Sequence, residues 1–385
     1  MGVRWPVASV GPYAGPMNIE LLKRLCETPG IPGREERVRA LIEREIKGLF
    51  DDVRTDAMGS LICVRGPRAG KAGKGAKGAK AKRDAGKATR VAMLCHMDQI
   101  GFYVRHIDDK GFIRVAAAGG FDTRNLFSRR VKVVTQDGDL DAVMNPGGRP
   151  VHIATDEDRK KIPLVKELIV DTGLPADEVK KRVRIGDYVV YNDPFMVLGH
   201  SGKAPGKAVS QALDNRVACW LGIEAVRELD RSGSGHACEV VVVFTTQEEV
   251  GLRGARTAAF AVGCDIGIGI DVTLSCDTPG VPSDEAITDH GKGFGLHVMD
   301  SSFISDHRLL DEVEDIAKAK QIPYQRTILL AGGQDGAAAQ QAGAGARAVG
   351  IVVGTRYIHT TSEMIDLKDL LAARDVLAAW LPTIR

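Results

Sequence analysis

The sequence predicts an α/β fold: a mixed, largely parallel sheet flanked by helices on both faces, with a small β-rich domain inserted into it. Three observations lead there. Beyond residue 195, apolar runs of strand length alternate with helical patterns, as expected of parallel strands joined by crossover helices. Between 103 and 194 the pattern changes to short alternating runs separated by turn residues, which reads as a different, β-rich unit. The 385 residues give room for about two or three domains. The expected division is a larger domain built from 1–102 and 195–385, interrupted by the smaller one at 103–194.

Each element follows from a local pattern. Residues 18–28 and 34–50 read as two helices broken by Pro29-Gly30-Ile31-Pro32-Gly33, the second carrying Val38, Leu41, Ile42, Ile46 and Leu49 at helical spacing. Residues 51–64 contain DVRTDAMGSLICV, a strand-turn-strand unit. In the β-rich region, RRVKVVTQDGDLDAVM carries Asp137-Gly138 as a hairpin signal, and a helix is expected over 175–182 with Pro175 near its start. Further on, DNRVACWLGIEAVREL reads as a helix. CEVVVVFTTQ, GCDIGIGIDV, GFGLHVM, YQRTILL and ARAVGIVVG read as strands, with helices at 302–320 and 366–380. No internal repeat is visible.

Composition narrows the class. Hydrophobic content of 44% and charged content of 26% are ordinary for a globular protein. No apolar run approaches the roughly 20 residues that span a bilayer. The N-terminal MGVRWPVASVGPYAGPMN lacks the continuous apolar core of a signal peptide, so no membrane partner and a cytoplasmic location are expected. Seven cysteines are scattered with no CxxC pair, which fits free thiols in a reducing compartment better than disulfides or a thiolate metal site. The net charge of +2 is unevenly spread: residues 68–90 hold nine Lys/Arg and one Asp, leaving −6 for the rest. That Gly/Ala/Lys tract has no hydrophobic face. It is expected as a disordered basic loop between two strands, and no nucleic-acid partner is expected from it although its charge would permit one.

The chemistry-bearing residues fall at the ends of apolar runs. In VAMLCHMDQIGFYV, His96 and Asp98 stand two apart, a spacing that puts both on one face of a strand and lets a carboxylate orient a metal-ligating imidazole. Asp214 lies in ALDNRVA, Glu248-Glu249 in VVVFTTQEEVGLRGA, Asp271 in GIGIDVT and His359 in GTRYIHTTSE. In open α/β sheets the functional edge lies at the carboxyl ends of the strands, where His96, Glu248, Glu249 and Asp271 are expected. Two His and several carboxylates can supply what a pair of divalent ions needs: a bridging carboxylate, terminal ligands, and one carboxylate left to take a proton from water. Taken singly, each residue has a plainer use. Asp214 could cap the helix that follows it, Glu248-Glu249 could be a solvated strand end, Asp271 a loop carboxylate and His359 an ordinary histidine. No compact motif such as HExxH is present.

Six blocks, HMDQIGF, ALDNR, QEEVGLRGA, DVTLSCDTPG, GGQDGAAAQ and RYIHTTSEMID, resemble in order those of the glutamyl and deblocking aminopeptidase family, which includes the self-assembling tetrahedral (TET) enzymes. The resemblance implies a metallo-aminopeptidase acting on peptides with a free N-terminus. It implies an inserted PDZ-like or barrel-like domain that mediates dimerisation, and a homo-oligomer of dimers, up to a hollow dodecamer. It implies two divalent ions per subunit, zinc first, with cobalt or manganese as alternatives. Asp214 would bridge them, His96 and Asp271 would complete one site, and Glu249 with His359 the other. Glu248 would be the general base, and Asp98 would orient His96. The chain departs from the family pattern at Gln99, where an acid is common, at Gln334, which interrupts a Gly-Gly-Thr-Asp-like block, and at Thr360 in place of Ser. Gln334 and Asp335 are expected near the substrate pocket. The same ligands would equally serve an amidase, a deacylase or a carboxypeptidase, and a non-catalytic metal- or RNA-binding assembly protein is a further alternative.

Overall fold

The structure is a computed structural model that describes residues 15–70, 88–201 and 205–385. Its main sheet has eleven strands. At its centre lie four parallel strands, in spatial order Glu239–Thr245, Arg90–His96, Ile266–Leu274 and Arg347–Arg356. Antiparallel strands flank them: Leu61–Arg65 and Asp52–Thr55 on one side, Glu363–Asp366, Lys207–Ser210 and Met196–Leu198 on the other. Phe294–Met299 also pairs antiparallel with Arg347–Arg356 and carries Tyr324–Ile328 at its outer edge.

Burial on both faces explains why the central strands are continuous apolar runs. Along Glu239–Thr245, Val240, Val242 and Phe244 enter the large core formed with helices Ile19–Glu27, Leu213–Ser232, His307–Lys320 and Leu367–Trp380. Val241 and Val243 enter a smaller core under helix Arg253–Val262. Alternate residues therefore feed helices on opposite faces of the sheet.

The inserted domain is a closed antiparallel barrel of six strands, from Gly101–Ile107 to Tyr188–Tyr191. Phe102, Val104, Ile113, Val131, Val133, Met144, Val170 and Val189 fill it. The seam with the sheet domain combines both kinds of contact: Ile31 is buried in an apolar cluster with Ala118, Val134, Tyr188 and Val190 of the barrel, Tyr103 donates its hydroxyl hydrogen to the Pro32 carbonyl at 2.6 Å, and Arg37 grips Asp139 with two 2.9 Å bonds.

Several expected boundaries move, for local reasons. The second helix runs only Glu36–Glu45 rather than to residue 50, and Gly48 turns the chain at φ +83. Asp306 accepts from the Arg308 and Leu309 N–H groups and starts its helix at His307 rather than at 302. Helices Arg253–Val262 and Gly336–Gln341 and strands Lys207–Ser210 and Glu363–Asp366 lay outside the sequence reading. The two helices are rich in Ala and Gly and pack tightly with few large side chains, so they carry little periodic signal. Of the basic tract, Arg68 pairs with His236 by two 2.9 Å backbone bonds and Arg90 opens the His96 strand. Residues 71–87, on which the disordered-loop expectation falls, lie outside the described residues. Among the described residues, no helix is long and apolar enough to cross a membrane.

Candidate metal centre

The four parallel strands share one carboxyl edge, and the candidate residues meet there. His96 is the last residue of its strand. Its ladder with the Asp271 strand ends at Leu94–Gly269, though both strands continue. Asp271, two residues further, therefore lines a cleft opened by the splayed backbones. Asp214 arrives from helix Leu213–Ser232 through a non-helical opening at Asp214 and Asn215, which are joined by a cis peptide. Asn215, not Asp214, caps this helix: its Oδ1 accepts from the Ala218 N–H at 3.0 Å, and its Nδ2 donates to the Ile270 carbonyl at 2.9 Å. The capping use of Asp214 is thereby excluded, and its carboxylate is free to enter the cleft.

Two donor groups result. One ligand atom each from His96, Asp214 and Asp271 lies within 4.8 Å of the others, and the same holds for Asp214, Glu249 and His359. Asp214 belongs to both. Its Oδ1 is 3.3 Å from His96 Nε2 and its Oδ2 is 3.2 Å from His359 Nε2. Glu249 Oε2 lies 3.4 Å from His359 Nε2, while Glu249 Oε1 is buried with no hydrogen-bond partner among the described residues. Glu248 is in neither group, yet its Oε2 reaches within 3.7 Å of His96 Nε2.

Burial dominates the electrostatics. It raises the pKa of Glu248 and of Glu249 well above the carboxylate range. Burial also opposes charge on His96, but Glu248, Asp214, Asp271 and Asp98 together outweigh it and hold that imidazole well above its usual value. In the same way Asp214 overcomes burial at His359 and pushes it up to about 9. So many carboxylates around two imidazoles, with an orphaned buried oxygen among them, form a set that multivalent cations would balance.

Asp98 differs from its expected geometry. His96 Nδ1 faces the backbone carbonyl of Asp98 at 3.1 Å, and the Asp98 carboxylate is further away at 3.7 Å. The chain leaves the strand after His96, so the two side chains are not strand neighbours. Instead the carboxylate accepts from the backbone N–H groups of Glu248 (3.0 Å) and Glu249 (3.1 Å). Gly120 of the barrel faces His359 from the other side, where a Cβ would lie in ordinary contact, 3.5 Å from Nδ1.

Three further buried residues surround the site, of which Asp335 alone was expected near it. Glu363 accepts from the Asp214 N–H (3.0 Å, Oε2) and from the His359 N–H (2.8 Å, Oε1), and burial followed by Asp214 pushes its pKa up to about 8. Its signal was its place in RYIHTTSEMID, four residues after His359. Arg216 is fully buried and donates to the carbonyls of Leu25, Thr28 and Gly30 and to Gln99 Oε1, tying the helix start to the turn beneath. Asp335 accepts from the Thr245 hydroxyl behind the site. Gln334 and Asp335, expected near the substrate pocket, are both buried. Gln334 fills the space left by Gly269, where a Cβ would fall 2.0 Å from its Oε1.

Known proteins share this architecture. A protein of Acetivibrio thermocellus provisionally named an aminopeptidase is 35% identical over 91% of this chain and 94% of its own. The TET aminopeptidase structure from a marine-sediment thaumarchaeote superposes with a TM-score of 0.84 at 31% identity, covering 94% of this chain and 95% of that one. The TET1 peptidase of Pyrococcus horikoshii, which can assemble into a tetrahedron or a large octahedral shell, superposes at 0.78 with 30% identity over 94% of this chain and 98% of that one. The model of the M42 glutamyl aminopeptidase family matches residues 78–376, a span containing every donor in the cleft, and the chain belongs to that family.

Proposed function

We propose that this chain, a peptide hydrolase of aminopeptidase type, removes N-terminal residues from peptides at a centre for two divalent cations. The observation that carries the reading is the pair of donor groups sharing Asp214. His96, Asp214 and Asp271 would hold one ion, and Asp214, Glu249 and His359 the other. Nitrogen and carboxylate donors with no thiolate suit zinc, and also cobalt or manganese. Bound there, such ions supply Lewis-acid polarisation of the scissile carbonyl and a lowered pKa for water.

The remaining chemistry falls to the chain. Glu248 is left out of both donor groups but stays within reach of them, so its carboxylate takes the proton from water and returns it to the leaving amine. Its neighbour Glu249 ligates, because adjacent residues on a turn project differently. Asp98 fixes the backbone of both glutamates, Glu363 fixes that of Asp214 and His359, and Asp98's carbonyl orients His96.

Self-association through the barrel is part of the proposal. Between strands Leu140–Pro146 and Leu168–Asp171 the barrel exposes Val151, Ile153, Ile162 and Leu164, each by more than half its surface, as a buried interface would require. Glu248→Gln tests the chemistry. The variant is expected to keep its full metal content and to lose turnover of aminoacyl-p-nitroanilides; normal turnover would exclude Glu248 as the base. Cleavage of N-acylated analogues by the unmodified protein would favour an amidase or deacylase instead.

A further inference from the structure

Three consecutive backbone N–H groups in the turn carrying the two glutamates each meet a buried carboxylate. Those of Glu248 and Glu249 go to Asp98, and that of Gln247 goes to Glu35 Oε1 at 3.0 Å. Glu35 stands apart from the donors described above. It occupies the N-cap position of helix Glu36–Glu45 but makes no capping bond with its side chain. It is only 4% exposed, and among the described residues no Lys or Arg pairs with it. The same Oε1 also accepts from the Gly33 N–H at 2.7 Å. A buried carboxylate is costly unless its bonds serve something, and these two bonds join the turn before its own helix to the turn before Glu248.

Gln247 has φ +56, the left-handed region that side-chain-bearing residues avoid and hold only where their surroundings fix them. A Gln247 backbone relaxed out of that region would redirect the next residue, Glu248. The Thr246 and Gln247 carbonyls already accept from Gly254 and Arg253, so the carbonyl side of the turn is tied to the following helix. Among the described residues, the N–H side is tied by Asp98 and Glu35 alone.

We infer that Glu35 is a positioning residue for the reaction: by accepting the Gln247 and Gly33 N–H groups on one oxygen, it sets the turn that aims Glu248 into the cleft. The inference rests on the reading of Glu248 as the base. It separates the role of Glu35 from metal binding, because Glu35 touches none of the proposed ligands. An acceptor oxygen at that point is what the turn needs, and charge is secondary. A glutamine there keeps such an oxygen. A methionine keeps the volume and removes it, and an aspartate draws it back by one methylene.

The test compares Glu35→Gln, Glu35→Met and Glu35→Asp with Glu248→Gln, each as full-length metal-loaded protein, on the best-cleaved of a panel of aminoacyl-p-nitroanilides. Metal content, KM and kcat per folded subunit are read together. Glu35→Gln is expected to retain kcat within about threefold, while Glu35→Met and Glu35→Asp lose on the order of 10- to 100-fold in kcat through misplacement of the base, with KM and metal content unchanged. Should Glu35→Met fail to fold, the Glu35→Asp and Glu35→Gln pair decides alone. Full kcat in the Asp variant, equal damage in the Gln variant, or a loss tracking lost metal would each overturn the inference. If Glu248→Gln turns over normally, the base reading falls and takes this inference with it. An inert Glu248→Gln beside an active Glu35→Asp removes the inference only.

Discussion

Asp214 carries more of the proposed centre than any other side chain, because its two oxygens face different imidazoles, His96 and His359, at 3.3 and 3.2 Å. Burial alone would raise its pKa, but those two rings outweigh burial and hold it well below the usual carboxylate range. That depression favours its anionic form, as a bridging ligand requires. Asp271 belongs to one donor group only. The difference is measurable as metal stoichiometry: Asp214→Ala is expected to lose both ions, and Asp271→Asn to retain the ion held by Asp214, Glu249 and His359. An Asp214→Ala protein that kept one ion at full affinity would argue against the shared carboxylate. Glu363 makes the same point from behind. Each of its oxygens takes the backbone N–H of a residue assigned as ligand, so the positions of Asp214 and His359 are linked before any ion binds.

At the scale of elements, edge strand Tyr324–Ile328 is held to helix His307–Lys320 chiefly by Glu314, with Asp311 adding a 3.1 Å ion pair to Arg326. Glu314 accepts from Lys318 and from the Tyr324 hydroxyl at 2.8 and 2.7 Å, and from Arg326 Nε at 2.8 Å. Lys318, Tyr324 and Arg326 together hold its carboxyl down at about 2. A depressed acid stabilises the fold above its unfolded pKa, about 4.3, and that contribution is lost as pH falls toward 2. Glu314→Gln is accordingly expected to cost about 1 kcal/mol at pH 7, solvent screening included. The gap from the parent should close by pH 2–3 in denaturant melts, and a gap independent of pH would exclude the ionic clamp. The elements also explain what was readable in advance. The central strands announced themselves because both faces are buried, and acids at the end of such a run stand out, as Glu248 and Glu249 did. Glu35 and Glu363 did not stand out. Their partners are backbone N–H groups, and no spacing in the chain encodes the two that come from distant segments, Gln247 and Asp214. The second use of the Asp98 carboxylate was hidden for the same reason: strand periodicity pointed it at His96, from whose Nδ1 it lies 3.7 Å, and a turn 150 residues away also claims it.

For the whole molecule, the proposed centre would be a liability until cations filled it. Asp98, Asp214, Glu248, Glu249, Asp271, Asp335 and Glu363 converge on one sheet edge against two imidazoles, and burial raises Asp335 to about 7 and Glu363 to about 8. An acid whose folded pKa exceeds its unfolded value of about 4 binds protons that the unfolded chain releases. Its contribution is present at low pH and is lost as pH rises toward 7–8. The ion-free protein should therefore become less stable between pH 5 and 8. Ions that bind only the folded chain reverse this, because they replace the missing protons and add their binding free energy to stability. Chelation is expected to lower the melting temperature at pH 8 by on the order of 5 °C or more and by less at pH 6, and re-addition of zinc, cobalt or manganese should restore it. Scanning calorimetry of chelated and reloaded protein at both pH values checks this. A melting temperature indifferent to chelation at pH 8 would mean that the seven carboxylates are balanced from within the chain, and the proposal of a two-cation centre would fall with it.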